Sequence, residues 1–321
     1  MFSLLYYSGI LAHPPSIVNT LFQYFFGTIY CPNPKKAVDN YRKLHYNKSS
    51  INTVTPKKQV KGKWIMAKVE YGLQMYSLRD ITGNDLKGAL KQVADMGYKY
   101  IEFAGFFGHK AEDVKSWLDE YGLVCSGTHT GGDALQPDVL ADTIAYHKAI
   151  GCTNLIIPGM DWSTREKLEE NIALINRVQP VLAENGIALG YHNHTGEFFP
   201  TPYGAVVEDE IIARTSVQLE IDTWWAFNGG IDPVAYCETY KDRIRVIHLK
   251  DGIAAKPEHR NYLDWGKGVE GRSVGSGEAP ILAIREWCRK NNVLMVIESE
   301  GLDPTGPEEV GRCITYLRTL D

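Results

Sequence analysis

The fold is indicated by the stretch Ile187-Ala-Leu-Gly-Tyr-His-Asn-His-Thr-Gly-Glu-Phe-Phe199. Its apolar run is typical of a buried strand and ends abruptly in His192, Asn193 and His194, with Glu197 three residues later. Residues able to bind a metal or transfer a proton therefore stand where a buried strand meets its loop. In parallel α/β barrels this edge binds ligands, because every strand directs its carboxyl end to the same mouth.

The chain from Met66 onward repeats one pattern, a short apolar strand followed by a helix. Short continuous apolar strands that alternate with helices indicate a parallel sheet. Eight such units in this length fit a closed (β/α)8 TIM barrel of the α/β class better than an open sheet. No GxGxxG motif follows the first strand, which disfavours a dinucleotide-binding fold. The predicted strands are Tyr71–Tyr76, Tyr100–Phe103, Leu123–Gly127, Asn154–Ile157, Ile187–Tyr191, Val217–Ile221, Ile244–Leu249 and Val293–Ile297.

Residues 1–65 differ in composition from the barrel segment, residues 66–321, and we interpret them as a poorly ordered, non-barrel N-terminal extension. Met1–Tyr30 is rich in aromatic and aliphatic residues, but His13-Pro14-Pro15 interrupts it, so neither a secretory signal nor a membrane span is clear. Residues 32–64 are polar and Lys-rich, as linkers are. A membrane or organelle anchor is the alternative interpretation.

The composition limits the partners and the compartment. A net charge of -5 disfavours a nucleic-acid partner, which usually needs a basic face. The six cysteines are scattered and form no CxxC motif, so we expect free thiols and a reducing, cytoplasmic location. We expect no membrane association, and the sequence leaves open whether the chain forms a homo-oligomer.

Polar residues stand at the carboxyl ends of six predicted strands. Any one of them could be a structural hydrogen-bonding or capping residue. Together they indicate a site, because buried carboxylates are costly unless they are paired or bound to a cation. Side chains alternate along a strand, so Glu220 and Asp222 share a face, as do His248 and Lys250. The set comprises Glu102, His129, His192, Asn193, His194, Glu220, Asp222, His248, Lys250, Asp251, Glu298 and Glu300.

A ring of His192, Asp222, His248 and Glu298 at one barrel mouth would supply two nitrogen and two oxygen ligands. Such a set suits Mn²⁺, Zn²⁺, Co²⁺ or Fe²⁺ better than Ca²⁺, which prefers oxygen ligands alone.

From about Met66 to its end, the chain resembles the xylose isomerase-like TIM barrels, the group of sugar phosphate isomerases/epimerases. The set of motifs, in this order, is specific for the superfamily but not for a substrate. The motifs are Gly72-Leu-Gln-Met-Tyr-Ser-Leu-Arg79, Gly97-Tyr-Lys-Tyr-Ile-Glu-Phe103, Gly190-Tyr-His-Asn-His194, Leu219-Glu-Ile-Asp222, His248-Leu-Lys-Asp251 and Val296-Ile-Glu298.

The resemblance implies one divalent metal ion held by His192, Asp222, His248 and Glu298. Many relatives have Glu at the strand-five position where this chain has His192, so Glu197 is an alternative ligand there. Imidazole in place of carboxylate removes one negative charge from the ligand set. A less electron-rich metal should polarise a substrate carbonyl more strongly.

We therefore expect an isomerase or epimerase of a small sugar, keto-sugar or polyol that acts through an enediolate, a function of carbohydrate metabolism. The catalytic candidates are Glu298, His129, His194 and Lys250. The substrate-binding candidates are Glu102, Asn193, Trp225, Trp162 and Arg272, and barrel packing is an equal alternative for each tryptophan.

Three other functions fit the barrel. A sugar or cyclitol dehydratase would share the proton abstraction, and the sequence does not separate it from an isomerase. Phosphodiester cleavage of the endonuclease IV kind is disfavoured, because Trp225 stands where such enzymes have a zinc-binding His. A non-catalytic sugar-binding barrel would bind no metal. The loop Gly252–Gly277 is expected to form a lid or an interface.

Overall fold

The computed structural model describes residues 58–60, 63–65 and 69–321 and divides the chain into two units, Met1–Ile65 and Met66–Asp321. In the first unit, Lys58–Val60 pairs with Lys63–Ile65 as an antiparallel hairpin. The rest of our interpretation of residues 1–65 lies outside the described residues. Within the described ranges, none of the helices combines the length and the hydrophobicity that crossing a membrane requires.

The second unit is built around eight parallel strands that close into a barrel, each paired to the next along the chain and the last to the first. This confirms the (β/α)8 TIM barrel, and each strand lies within two residues of its predicted bounds. We number the strands β1 to β8: Gly72–Gln74, Tyr100–Phe103, Val124–His129, Asn154–Ile157, Ala188–His192, Gln218–Asp222, Ile244–Leu249 and Leu294–Ile297.

Helices follow the strands along the chain, and side-chain caps set where several of them begin. The Thr164 hydroxyl accepts a hydrogen bond from the Lys167 N–H at the start of the longest helix. Gly122 ends the second helix with φ of 66°, a left-handed conformation that favours glycine. We number the main helices α1 to α9: Leu86–Asp95, Ala111–Tyr121, Leu140–Ala149, Arg165–Glu184, Val207–Arg214, Thr223–Asn228, Pro233–Thr239, Ile281–Asn291 and Gly306–Arg318.

The apolar core joins the strands to the helices. Leu73 of β1 and Ile101 of β2 are fully buried in one cluster with Leu90 and Val93 of α1. Burying each such side chain contributes about 1.5–3 kcal/mol, so this layer holds the strands at fixed positions. The strands therefore present their polar ends on a rigid frame.

The strand register places polar residues of neighbouring strands opposite one another at the carboxyl end. Gln74 of β1 pairs with Glu102 of β2. His192 of β5 pairs with Glu220 of β6, and Asp222 of β6 pairs with His248 of β7. The pairing of β6 with β7 carries an irregularity between Leu219 and Ile221. The register thus gathers the predicted site residues at one rim.

Two elements differ from the sequence-based prediction. Helix α6 begins directly after β6, because the Asp222 carboxylate caps it by accepting hydrogen bonds from the Trp224 and Trp225 N–H groups. The predicted loop Gly252–Gly277 contains part of a second hairpin, in which Asp251–Ile253 pairs with Glu270–Arg272. Neither element has a long periodic pattern, which is why the sequence did not reveal it.

Helix α5 contains a buried carboxyl group, that of Glu208. The Tyr236 hydroxyl donates a hydrogen bond to its Oε1 at 2.8 Å, and its Oε2 has no hydrogen-bond partner. Burial raises the pKa of this carboxyl from the ordinary 4.5 to about 7. The folded protein therefore retains a proton on Glu208 at pH values where the unfolded chain has lost it.

We expect the stability contributed by Glu208 to be fully present below pH 4.5 and to be lost as the pH rises through about 7. The loss is on the order of 3 kcal/mol at most, since each pKa unit corresponds to about 1.4 kcal/mol. Glu208→Gln keeps a neutral group of the same shape, so its free energy of unfolding should fall less steeply between pH 5 and pH 8. Urea unfolding measures this, with exposed Glu258→Gln as control. Parallel pH profiles of wild type and Glu208→Gln would contradict the prediction.

Candidate metal centre and active site

The carboxyl ends of the strands surround a cavity of about 640 Å³. The floor of the cavity consists of imidazole and carboxylate groups from the strand ends: His129, His192, His194, Glu298 and Glu300. Its other walls are aromatic or small, and include Tyr76, Ala104, Trp225, Trp265, Val269 and Gly271. The cavity therefore joins an ionisable floor to an apolar wall, as sites for small polar ligands do.

Four residues at this mouth can hold a metal ion together. His192 ends β5, Asp222 ends β6, His248 lies in β7, and Glu298 follows β8 directly. One ligand atom from each of the four lies within 4.8 Å of the others, and all four side chains are buried. We refer to these four residues as the quartet.

The environment of Asp222 leaves one oxygen for a cation. Its Oδ1 accepts hydrogen bonds from the Trp224 and Trp225 N–H groups at 3.0 and 2.9 Å. Its Oδ2 is buried and has no hydrogen-bond partner, and the Lys250 ammonium lies 3.5 Å away. His192 Nδ1 is likewise buried and has no hydrogen-bond partner, and Glu220 Oε2 lies 3.4 Å away. Such atoms are costly to bury, so they fit a site that a cation completes.

The chemistry of the quartet also fits a divalent transition metal. Two imidazole nitrogens and two carboxylate oxygens suit Mn²⁺, Zn²⁺, Co²⁺ or Fe²⁺, and the two carboxylates neutralise a dication. Glu197, the alternative ligand, lies elsewhere. Its carboxylate accepts a hydrogen bond from the Tyr191 hydroxyl at 3.0 Å and from the His194 N–H at 3.1 Å. The geometry therefore favours His192 as the strand-five ligand.

His248 lies between two sets of carboxylates. Its Nδ1 faces Glu298 Oε2 at 3.1 Å, and its Nε2 faces Glu102 Oε1 at 2.7 Å. Glu102 also accepts a hydrogen bond from the Gln74 amide at 2.7 Å. His129, His192, Glu220 and His248 form a second group whose ligand atoms lie within 4.8 Å of one another. Groups of this kind next to a metal orient its ligands and adjust their basicity.

The imidazoles of His129 and His248 compensate the charge of the buried carboxylates around them. Burial raises the pKa of Glu102, but the nearby His248 and His129 outweigh it and hold that pKa below its usual range. Burial, and then the charge of Glu102, raise the pKa of Glu220 to about 7. Burial lowers the pKa of His129, but Glu102 and Glu220 raise it to about 9. His129 is therefore held and oriented by two carboxylates.

Lys250 supplies a buried positive charge next to the quartet. Its ammonium lies 3.1 Å from Glu298 Oε2 and 2.8 Å from Glu300 Oε1. It also lies 4.7 Å from the centre of the Trp225 ring. Burial lowers the pKa of Lys250, but Glu298, Asp222 and Glu300 raise it above its usual range, so the group stays a cation. Lys250 therefore fixes the position of Glu298.

Four of the five predicted substrate-binding residues do not line the cavity. Trp162 is buried, and its Nε1 donates a hydrogen bond to the Tyr191 hydroxyl at 2.8 Å. Asn193 is buried and binds the Asp222 backbone through both ends of its amide, which ties β5 to β6. Arg272 is half-exposed and pairs with Glu270 at 2.6 Å. Glu102 is also absent from the lining, because Gln74 and the imidazoles enclose it, whereas Trp225 does line the cavity.

Several lining residues were not among the predicted site residues, including the aromatic residues Tyr76 and Trp265. Tyr76 follows β1 directly and lies inside the motif Gly72–Arg79, so its position after a strand was the available signal. Trp265 lies in the long segment before β8, and its ring centre is 5.0 Å from that of His194 and 5.5 Å from that of Trp225. Gly266, Val269 and Gly271 of the same segment also line the cavity, but no periodic pattern pointed to Trp265.

Comparison with known proteins gives one family and several relatives. Residues 90–317 match the family described as xylose isomerase-like TIM barrel. Among curated proteins, an inosose dehydratase from Geobacillus kaustophilus (strain HTA426) is 26% identical over 186 residues, which cover 50% of this chain and 60% of that protein. The alignment thus spans less than two thirds of this relative.

Two solved structures described as sugar phosphate isomerase/epimerase from Parabacteroides distasonis ATCC 8503 are also similar. One is 26% identical with a TM-score of 0.64, and the alignment covers 78% of this chain and 98% of that chain. The other is 22% identical with a TM-score of 0.61 and coverages of 81% and 98%, a likeness that shows the fold alone.

The quartet predicts a matched pair of variants. Asp222 and Asp232 both cap a helix through Oδ1, the first α6 and the second α7, and Asn is also a good cap, so each Asp→Asn change should keep the fold. Only Asp222→Asn removes a proposed ligand. It should weaken Mn²⁺ binding by at least about 100-fold, because losing a group that merely orients a ligand already costs about 10–100-fold. Titration calorimetry with Mn²⁺ measures this. Equal affinities of the two variants would exclude Asp222 as a ligand.

Proposed function

Because this chain belongs to the xylose isomerase-like TIM barrel family, we propose that it is a divalent-metal-dependent isomerase or epimerase of a small sugar, keto-sugar or polyol. The observation that carries the proposal is the quartet of His192, Asp222, His248 and Glu298 on the floor of the cavity. The likeness at 26% identity to a solved structure described as sugar phosphate isomerase/epimerase supports it.

A divalent cation bound to the quartet would supply positive charge next to a substrate carbonyl, which favours the enediolate. Glu298 is our candidate for the base that removes the α-proton. It lines the cavity, and although burial raises its pKa, Lys250 and His248 outweigh that effect and hold the pKa well below its usual range. The carboxylate is therefore ionised. As the proposed base it would take the proton from carbon, while the electron pair moves to the carbonyl oxygen.

The proton must then return to the substrate, and His129 and His194 are our candidates for that step. The His129 imidazole lines the cavity and is held by Glu220 at 2.9 Å and Glu102 at 3.2 Å. His194 lines the cavity in the loop after β5 and is partly exposed. Return of the proton to the neighbouring carbon gives isomerisation, with the hydroxyl proton of the enediolate moving to the former carbonyl oxygen. Return to the opposite face of the same carbon re-forms the original carbonyl group and gives epimerisation.

A dehydratase is the second candidate, and the inosose dehydratase at 26% identity is the observation that favours it. Its first step is the same removal of a proton next to a carbonyl. The enediolate then expels a hydroxyl group as water, for which His129 or His194 would supply the proton. The mass of the product separates the two, because dehydration loses one water and isomerisation does not.

We also propose a small carbohydrate as substrate and a cytoplasmic location. Five cysteines among the described residues are buried free thiols, which fits a reducing compartment.

The role of Glu298 can be tested by solvent deuterium exchange. Keto-sugars are incubated with Mn²⁺-loaded protein in D₂O, and exchange at the carbon next to the carbonyl is followed by NMR. We expect Glu298→Gln to reduce exchange by 10²-fold or more, the usual contribution of a general base. Because Glu298 is also a proposed ligand, the comparison is made at saturating Mn²⁺, and the occupancy of the metal site is measured by electron paramagnetic resonance.

Glu300→Gln is the matched control, since Glu300 lines the same cavity two residues further on and also binds Lys250. It should retain exchange within about tenfold of wild type, because Glu300 is not proposed to accept the proton. Retained exchange in fully occupied Glu298→Gln would exclude Glu298 as the base.

A further inference from the structure

The charge of the cavity wall limits which carbohydrate can bind. The residues that line the cavity include two carboxylates, Glu298 and Glu300, and no lysine or arginine. Binding sites for phosphate esters use Arg, Lys or backbone N–H groups that point at the anion. Among the described residues, the wall offers no Lys or Arg side chain, and its cationic imidazole, His129, is already held by Glu102 at 3.2 Å and Glu220 at 2.9 Å.

The Lys and Arg side chains next to the cavity already have partners within the protein. Lys250 has no exposed surface, and Glu298 and Glu300 hold its ammonium. Arg79 donates hydrogen bonds to the Tyr76 carbonyl at 3.1 Å and the Glu300 carbonyl at 2.9 Å, and its guanidinium stacks over the Tyr76 ring. Recruiting Lys250 to a phosphate would leave Glu298 and Glu300 without this partner, and recruiting Arg79 would break its two hydrogen bonds to backbone carbonyls.

The backbone near strands β7 and β8, where (β/α)8 barrels frequently bind phosphate, is also occupied. Four N–H groups converge there on the buried carboxylate of Asp251. Its Oδ1 accepts from Gly252 at 2.9 Å and Ala279 at 3.1 Å, and its Oδ2 accepts from Gly275 and Gly277, both at 2.9 Å. The chain thus fills this anion-binding turn with its own carboxylate.

A neighbouring cavity of about 510 Å³ contains Arg272 and Arg312, but it does not offer a phosphate site. Arg272 pairs with Glu270 at 2.6 Å, and Arg312 pairs with Glu309 at 2.5 Å. Glu300 and Asp303 line it too, so its carboxylates outnumber its guanidinium groups.

We infer that the substrate is an uncharged sugar or cyclitol, and that the site discriminates against its phosphate esters. This inference rests on the proposed function and specifies its substrate class. The hydroxyl and carbonyl oxygens of the ring face the quartet, while its C–H face packs against the aromatic wall of Trp225 and Trp265. Both indole rings present apolar surface to the cavity, which an uncharged ring can cover without losing hydration of a charge.

A panel of free keto-sugars and keto-cyclitols, each paired with its phosphate monoester, tests the inference. Binding to Mn²⁺-loaded protein is measured by calorimetry, with inorganic phosphate as the control for contacts to the cation alone. We expect free members to bind at least tenfold more tightly than their esters. Tighter binding of the esters, or no binding of any free member, would overturn the inference. Binding of free members without α-proton exchange would instead contradict the proposed function and leave the inference standing.

Two variants test the cause of the discrimination. Glu300→Gln removes one wall carboxylate and should raise the affinity for the esters several-fold relative to the free members. Trp265→Ala should weaken binding of the free sugars and cyclitols about tenfold. Leu263→Ala changes a residue that is 74% exposed in the same segment and should not weaken it. The role of Glu300 would be overturned if Glu300→Gln left the ratio of ester affinity to free-compound affinity unchanged. The role of Trp265 would be overturned if Trp265→Ala and Leu263→Ala changed the affinity for the free compounds equally.

Discussion

The register of the parallel strands is the constraint on which the site depends. Asp222 of β6 pairs with His248 of β7. His248 in turn pairs with Val296 of β8, and Glu298 lies two residues after Val296. A shift of one residue in a strand would turn its side chains to the opposite face, so that apolar Leu249 would replace His248 at the mouth. A closed barrel has no free edge along which a strand could slip, and the helix layer packs against it. The ligand set therefore follows from the packing of the whole barrel.

The second constraint is the compensation of buried charge. Glu102, Glu220, Asp222 and Glu298 are all buried at the mouth, where an unpaired carboxylate is costly. Lys250 and the imidazoles compensate part of this negative charge. Atoms without a hydrogen-bond partner, such as Asp222 Oδ2, indicate that a bound cation would compensate the remainder. Cations committed to these carboxylates cannot also bind an anionic substrate. In our proposal, the arrangement that would hold a metal ion thus also selects for an uncharged ligand.

The residues of the quartet could be proposed from the sequence because each lies at or just after the end of an apolar strand, and the alternation of eight strands with helices specified where those ends meet. Glu197 could not be separated from His192 in this way, since both lie near the end of β5. The structure separates them, because Glu197 turns to the Tyr191 hydroxyl and the His194 backbone. Trp162 and Asn193 had the right chemistry, but their side chains bind structural partners.

By itself, the sequence determined the order of strands and helices, the barrel and the polar strand ends, because side-chain periodicity and helix caps are local properties of the chain. The tertiary structure decided which imidazole faces which carboxylate, that Trp265 reaches His194, and that Asp251 fills the turn formed by Gly275 and Gly277. These contacts join residues far apart along the chain, and their geometry depends on the register and packing of elements that no local pattern encodes.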